Sequence, residues 1–515
     1  MTHRPTDEQQ AVIDFIAQNP SLSLMVSARA GAAKTSTIVM ASEKITQSCL
    51  AVAFNKRNAD DLKEKLPSHI TCKTLNGLGH AAWGSKLGKR LTLDTDKMYR
   101  LTQAIVPKGT EDFADVLALA RKAKSVGLVP HGTKWARPTI WEDTLHSWQE
   151  LGWQVGVTSV DSTIAAQAAQ VLSTSIAEAW QGTIDFDDQI YMSVMFAGNF
   201  SKFHTVIVDE SQDLSYMNHL MLKASIGTRL IAIGDPYQAI YAFRGADANS
   251  MENMAQTCGV EFNQLKLTSS FRVPHSVAAR QTEWVQDFTS HAICKEGMVA
   301  QWPDDNTGSV HNVRSWNLSD IPDKGFIICR NNAPLMNLAF ALIKSRRPVK
   351  ILGRDIGSAL ANLLEKIAGK GKTASYTPVE DILPKITAWA AKETAKVSNS
   401  ETKQAVIREK QECLEVLIEA SDCKTVGEAA QFIRDLFSDR GGDLVLMSGH
   451  KSKGLEHEWV MHLDPFRLPS KFALAAEANG NPGPLIQENN LKYVIETRTM
   501  HTLVLANLED CEELS

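Results

Sequence analysis

The sequence predicts an α/β fold with two parallel-sheet cores, each interrupted by a block of helices, and three observations carry that expectation. Short apolar runs ending in polar or glycine-rich turns recur at residues 23–26, 50–54, 205–208, 229–233, 325–329, 444–447 and 460–463. Several are followed by helical periodicity, the pattern of strand–helix units with functional residues at the carboxyl ends of strands. Between them lie two long stretches, 81–182 and 356–442, with helical patterns and no convincing buried strand.

The first stretch contains FADVLALARKAKSVG and STIAAQAAQVLSTSIAEAW, and its RKAK run (121–124) reads either as a phosphate contact or as a solvated helix face. The second contains EDILPKITAWAAKETAK, a polar break at SNSETK, and TVGEAAQFIRDLF. In that last segment Thr425 and Glu428 have capping-box spacing ahead of an apolar face of Ala429, Ile433, Leu436 and Phe437.

The chain has 515 residues, 43% hydrophobic and 22% charged, an ordinary globular composition long enough for roughly three to four domains. A net charge of -5 argues against coating nucleic acid by bulk positive charge, while leaving room for a local basic groove. The eight cysteines show no C-x-x-C pair or matching histidine spacing and read as reduced thiols. MTHRPTDEQQ lacks a signal-peptide core, and no apolar run approaches the ~18 residues needed to span a bilayer, so a soluble, cytoplasmic protein is expected. No repeat of 20 to 50 residues is visible.

Three stretches carry chemistry. SARAGAAKTST (27–37) follows an apolar run and precedes Ile38, Val39 and Met40. Against G-x-x-x-x-G-K-[ST] it keeps Lys34 and Thr35 but has alanine at 28 and 33. In such a loop the backbone of Ala30, Gly31, Ala32, Ala33 and Ser36 faces phosphate oxygens. The Lys34 ammonium reaches the β and γ phosphates of a triphosphate, and the Thr35 hydroxyl ligates Mg2+. An ordinary helix start fits the loop alone equally well. Alanine at 33 is tolerable with helical dihedrals, whereas a positive φ there costs about 1 kcal/mol or more.

VIVDESQD (206–213) ends a β-branched run with Asp209, able to hold hydrated Mg2+, and Glu210, able to orient an attacking water. Solvated carboxylates after a strand are the alternative. RLIAIGDPYQAIYAFRGA (229–246) brings Gln238, a candidate γ-phosphate sensor, ahead of Tyr241, Phe243 and Arg244, which suit base stacking or, alternatively, an aromatic core.

Taken in order, these stretches resemble the superfamily 1 DNA helicases of the UvrD/Rep/PcrA group and, within it, the catalytic region of the F-box DNA helicases. The likeness continues through TDEQQAV (Q motif), AVAFNKRNADDL (motif Ia), CKTLNGLGH (motif Ib), IDFDDQIY, LTSSFRVPHSVA (motif IV), FIICRNNAPLMNLAFAL (motif IVa), MSGHKSKGLEHEWV (motif V) and ENNLKYVIETRTMHTLVLA (motif VI). It implies two RecA-like P-loop cores: 1A at 1–80 and 183–270, and 2A at 271–355 and 443–515. The helical insertions would be 1B at 81–182 and a short 2B at 356–442.

The resemblance further implies Gln9 and Phe271 on adenine, Arg272 on the γ-phosphate, Arg498 as arginine finger, and Glu456 among the coupling residues. It implies Phe54, Asn55, Thr74, Asn76, Tyr241, Phe243, Arg244, His450 and Lys453 on single-stranded DNA. ATP would be held by cations from both cores, so that hydrolysis drives small steps along the strand.

The expected activity is an ATP- and Mg2+-dependent DNA helicase, moving 3′ to 5′ on single strands and acting at single-strand/duplex junctions as a monomer. With the chain ending soon after motif VI, no appended nuclease is expected. Departures from the pattern are Arg29 and Ala33 for glycines, Phe243 for tryptophan, and Leu75-Asn76 for Phe-His. All the charged ATP-site residues remain, which favours an active ATPase. The rival readings are a nucleotide-dependent DNA-binding module without turnover, and an ATPase subunit working with a separate nuclease.

Overall fold

A computed structural model describes residues 4–514 apart from 54–55, 107–111, 138–140, 156, 158–159, 241–248, 303–314, 370–373, 397–400, 422 and 438–441. The chain divides into two compact units, Met1–Thr268 and Ser269–Ser515.

In the first unit the strands are β1 (Ser23–Ala28), β2 (Cys49–Ala53), β3 (Ile70–Thr74), β4 (Thr92–Leu93), β5 (Thr183–Ile184), β6 (Phe203–Val208), β7 (Ile226–Gly234) and β8 (Phe262–Leu267). Six of them form one parallel sheet in the order β3-β2-β6-β7-β1-β8. Alternation along the central strands covers both faces. Leu24, Val26, Ala51, Ile207, Ile231 and Ile233 join one core with Val12, Ile16, Ile38 and Leu62. Met25, Leu50, Val52, Val206, Val208 and Leu230 join the other, which runs on into the helices between β3 and β6. Strands buried on both faces read as near-continuous apolar runs, which is why they were legible.

The helices between β3 and β6 include Asp112–Val126, Leu145–Val155 and Ser162–Gln181. Among them β4 and β5 pair over two residues, a short parallel bridge that the sequence does not announce. In the RKAK run Arg121 is exposed, as on a solvated helix face, and Lys122 is half-buried, whereas Lys124 fits neither reading. Lys124 neither meets solvent nor reaches phosphate: it is 1% exposed and lies 2.7 Å from both Asp185 Oδ2 and Asp188 Oδ1. Lys97, also buried, donates to Asp188 Oδ2 at 2.7 Å and to the Ser175 and Thr183 carbonyls. Two buried ammonium groups and two carboxylates thus satisfy one another where isolated charges would be costly.

The second unit contains β9 (Ser269–Ser270), β10 (Thr289–Ser290), β11 (Met298–Trp302), β12 (Gly325–Cys329), β13 (Val349–Leu352), β14 (Leu444–Ser448), β15 (His457–Leu463) and β16 (Thr499–Ala506). Six of these form a second parallel sheet, ordered β11-β16-β15-β12-β14-β13. Ile327, Ile351, Leu446, Met461 and Val504 share a core with helical residues Leu338, Leu414 and Ile433. The capping box at Thr425 forms: its hydroxyl accepts from the Glu428 N–H, and Glu428 accepts from the Thr425 N–H. Ala429, Ile433 and Phe437 are buried behind it, with Leu436 half-buried. Among the described residues no helix is long and apolar enough to cross a membrane.

Candidate active site

Three neighbouring strands of the first sheet, β6, β7 and β1, end at one edge and deliver the polar residues that the sequence singles out. After β1 the loop turns through Gly31 (φ 72°) and Ala33 (φ 54°), and the helix Lys34–Ser42 begins after Ala33, whose side chain cannot cap it. Ala33 is therefore left-handed, the conformation that disfavours a Cβ, and the helical geometry that would have made alanine harmless is not adopted. Ala30 and Ala32 are buried, Thr35 is half-buried and Ser36 is exposed.

Lys34 Nζ lies 3.5 Å from Glu210 Oε1. From there a hydrogen-bonded chain crosses the strand ends. Gln212 Nε2 donates to Glu210 Oε2 at 2.6 Å, the Asp235 N–H donates to Gln212 Oε1 at 3.0 Å, and Gln238 Nε2 donates to Asp235 Oδ2 at 2.6 Å. Asp209 Oδ1 accepts from the Glu210 N–H at 2.9 Å. Glu210 itself has φ 55°, so the turn that presents it is strained.

Burial, then the neighbouring Glu210 carboxylate, push Asp209 up to about 7 despite the opposing Lys34. Burial also raises Asp235, against the pull of Lys34, the Gln238 hydrogen bond and Arg29. Two buried carboxylates with raised proton affinity beside a lysine at a helix start form a site that a divalent cation with phosphate oxygens would relieve. Among the described residues no cluster of three or more His, Cys, Asp or Glu side chains could hold a metal by protein ligands alone.

Sequence reasoning passed over three members of this network. Gln212 and Asp235 bridge the strand ends, and their signal was the same as that of Asp209, a polar residue just past an apolar run. Arg29, seen only as a lost glycine, is 3% exposed. Its guanidinium lies 4.9 Å from the Tyr237 ring centroid and donates to Ser27 Oγ at 2.9 Å. The substitution thus places a buried cation between the phosphate loop and the loop that carries Gln238.

The other candidates are more dispersed. Gln9 is buried in the capping box of Asp7–Gln18 and donates to Thr37 Oγ1 at 3.1 Å. Thr74 caps the helix Leu75–Leu87 by accepting from the Gly77 N–H, and Asn76 Nδ2 donates to the Phe186 carbonyl at 2.8 Å. Phe54, Asn55, Tyr241, Phe243 and Arg244 lie outside the described residues.

Within the second unit Arg272 is ion-paired with Glu456, and the Phe271 ring stacks on His291 at 4.5 Å. His450 and Lys453, both half-buried, lie in the turn after β14. Arg498, 1% exposed, donates to the Val494 and Leu455 carbonyls and to Thr497 Oγ1 at 2.8, 3.3 and 3.2 Å. Its charge is thus held at the carboxyl end of the helix Gly483–Glu496.

Comparison with known proteins adds a family and relatives. A family model described as an AAA domain matches residues 9–244. The chain is 25% identical over 530 residues to F-box DNA helicase protein 1 of Schizosaccharomyces pombe, covering 97% of this chain and 57% of that protein. It is 25% identical to DNA helicase IV of Escherichia coli over 52% of this chain and 46% of that one. It is 22% identical to DNA helicase II of Rickettsia typhi over 94% of this chain and 90% of that one. The chain thus spans a little over half the length of the Schizosaccharomyces pombe relative.

Proposed function

We propose, from the chain's likeness to DNA helicases and the match of an AAA domain over residues 9–244, that it belongs with the UvrD/Rep-like superfamily 1 helicases and is an ATP-driven DNA helicase. It would translocate 3′ to 5′ on single-stranded DNA, separating duplex or displacing bound protein during replication, repair or recombination. Residues 1–80 with 183–270, and 271–355 with 443–515, serve as the two RecA-like cores in this reading, with 81–182 and 356–442 as their insertions.

The observation that carries it is the continuous chain of contacts from Lys34 through Glu210, Gln212 and Asp235 to Gln238. Such a chain joins a phosphate-binding cation to a water-orienting carboxylate and to the loop that leads towards candidate base-stacking residues. Lys34 and the loop amides take the phosphates, Glu210 accepts the proton of the attacking water, and Gln238 orients that water or reads the γ-phosphate. Arg272 and Arg498 supply positive charge to the transferred phosphoryl group. Thr35 and Asp209 would hold Mg2+, whose chemistry is charge neutralisation on the phosphates.

ATP hydrolysis with and without single-stranded DNA, by the wild type and Glu210→Gln, tests turnover. DNA-stimulated hydrolysis that falls at least about 100-fold in the variant is expected. Duplexes with 3′ or 5′ tails test polarity, and unwinding of the 5′-tailed substrate alone would reverse the assignment. One observation favours the second reading, a binding module without turnover: the left-handed Ala33 at the helix start. That reading requires equal, near-zero hydrolysis by both proteins.

A further inference from the structure

In the helical insertion of the first unit, a loop following Asp112–Val126 presents a tryptophan to solvent at an energetic cost. The His131 N–H donates to Asp143 Oδ2 at 2.8 Å, and Asp143 Oδ1 accepts from the Trp148 indole at 2.6 Å. Thr133 Oγ1 donates to the Pro130 carbonyl at 2.7 Å, and the Arg137 N–H reaches the Met195 carbonyl at 2.8 Å. Between these anchors Trp135 takes φ 68° and remains 81% exposed. A bulky residue at positive φ is an outlier, and here no burial of the indole offsets the strain.

Beside Trp135 is an open cavity of about 480 Å3, lined by His131, Lys134 and Trp135 on the loop and by Ser173, Ala177 and Trp180 on the helix Ser162–Gln181. Ser173 and Ala177 are exposed and small, which leaves room above the helix. Trp180 is fixed from behind by Trp83 and Phe196, with ring centroids at 4.9 and 6.0 Å. Among the described residues no carboxylate lines the cavity. The acidic neighbours are engaged elsewhere, Asp143 with the His131 and Trp148 N–H groups and Glu178 with Arg100.

We propose that this cavity seats one unpaired nucleobase of a bound single strand, with Trp135 stacking on the base and Lys134 beside its phosphate. The inference rests on the DNA-translocase reading. A cavity of this size accepts a nucleotide, its open side allows the chain to continue on either side, and its charge is cationic where a phosphate would lie. Stacking on an indole is tolerant of sequence, as a moving strand requires.

The test is the affinity of the full chain for a fluorescent single-stranded oligonucleotide, measured by anisotropy without nucleotide for the wild type, Trp135→Ala and Trp135→Phe. It is combined with photocrosslinking from an oligonucleotide that carries 5-iodouracil. Trp135→Ala is expected to bind about 5- to 100-fold more weakly, Trp135→Phe to recover most of the affinity, and the wild-type crosslink to map to residues 131–137. Circular dichroism confirms that both variants are folded. Wild-type affinity in Trp135→Ala, with the crosslink elsewhere, overturns this site and leaves the helicase reading standing; it is also the result expected if the indole instead docks a protein. A wild-type chain that binds no single-stranded DNA overturns both.

Discussion

Ala33, at φ 54° and ψ 40°, carries a Cβ where the backbone favours glycine. Ala33→Gly is therefore expected to stabilise the nucleotide-free protein by about 0.5 to 1 kcal/mol, read as a higher midpoint in urea unfolding. Arg29 matters in the opposite sense. Arg29→Ala removes a buried cation from above Tyr237 and should destabilise by about 1 to 3 kcal/mol in the same assay.

Asp209 contributes a pH dependence. Burial holds its carboxyl up to about 7 in the folded state, against an ordinary value of 3.8. The unfolded chain releases that proton more readily, so the associated stability is complete below about pH 4 and lost as pH rises through about 7. In the absence of nucleotide and metal, Asp209→Asn should thus raise stability at pH 8 by about 2 to 4 kcal/mol and flatten the difference between pH 6 and pH 8. A variant as pH-sensitive as the wild type would assign the effect elsewhere.

At the scale of elements, the helical insertion of the first unit is tied together by the Lys97, Lys124, Asp185 and Asp188 cluster, whose members come from separate helices and the turn before Phe186–Met195. Lys124→Ala leaves two carboxylates under-compensated in a dry interior, and a loss of about 3 to 5 kcal/mol in denaturant unfolding is expected. The strands show why some elements are legible and others are not. β3, β8, β11 and β13, all at sheet edges, were missed. FNQLKL in β8 buries fully only Leu267, so no continuous apolar run marks it. The strands 23–28, 203–208 and 226–234, interior to their sheet, were found because neighbours flank them on both sides and cores cover both faces. β16 is interior and was still missed as a strand, because it opens with the polar segment Thr499–Thr502.

At the scale of the molecule, the two units have separate sheets, Met1–Thr268 with its own cores on both faces and Ser269–Ser515 with another. A fragment of residues 1–268 is expected to unfold cooperatively by circular dichroism. If Arg272 and Arg498 act as proposed, it should lack measurable ATP turnover, since both lie outside it. Turnover by the fragment at the rate of the full chain would remove both arginines from the proposed chemistry.

What the sequence by itself determined was the succession of apolar runs ending in Lys34 and Thr35, in Asp209 and Glu210, and in Gly234 and Asp235, because a buried strand and the polar turn after it are local patterns. The tertiary structure alone decided the hand of the Ala33 backbone, the seat of Arg29 over Tyr237, and the burial of Lys124 against a carboxylate 61 residues away. These outcomes depend on which distant segments exclude water together, and the desolvation that sets a charge's partner and proton affinity exists only once those segments have packed.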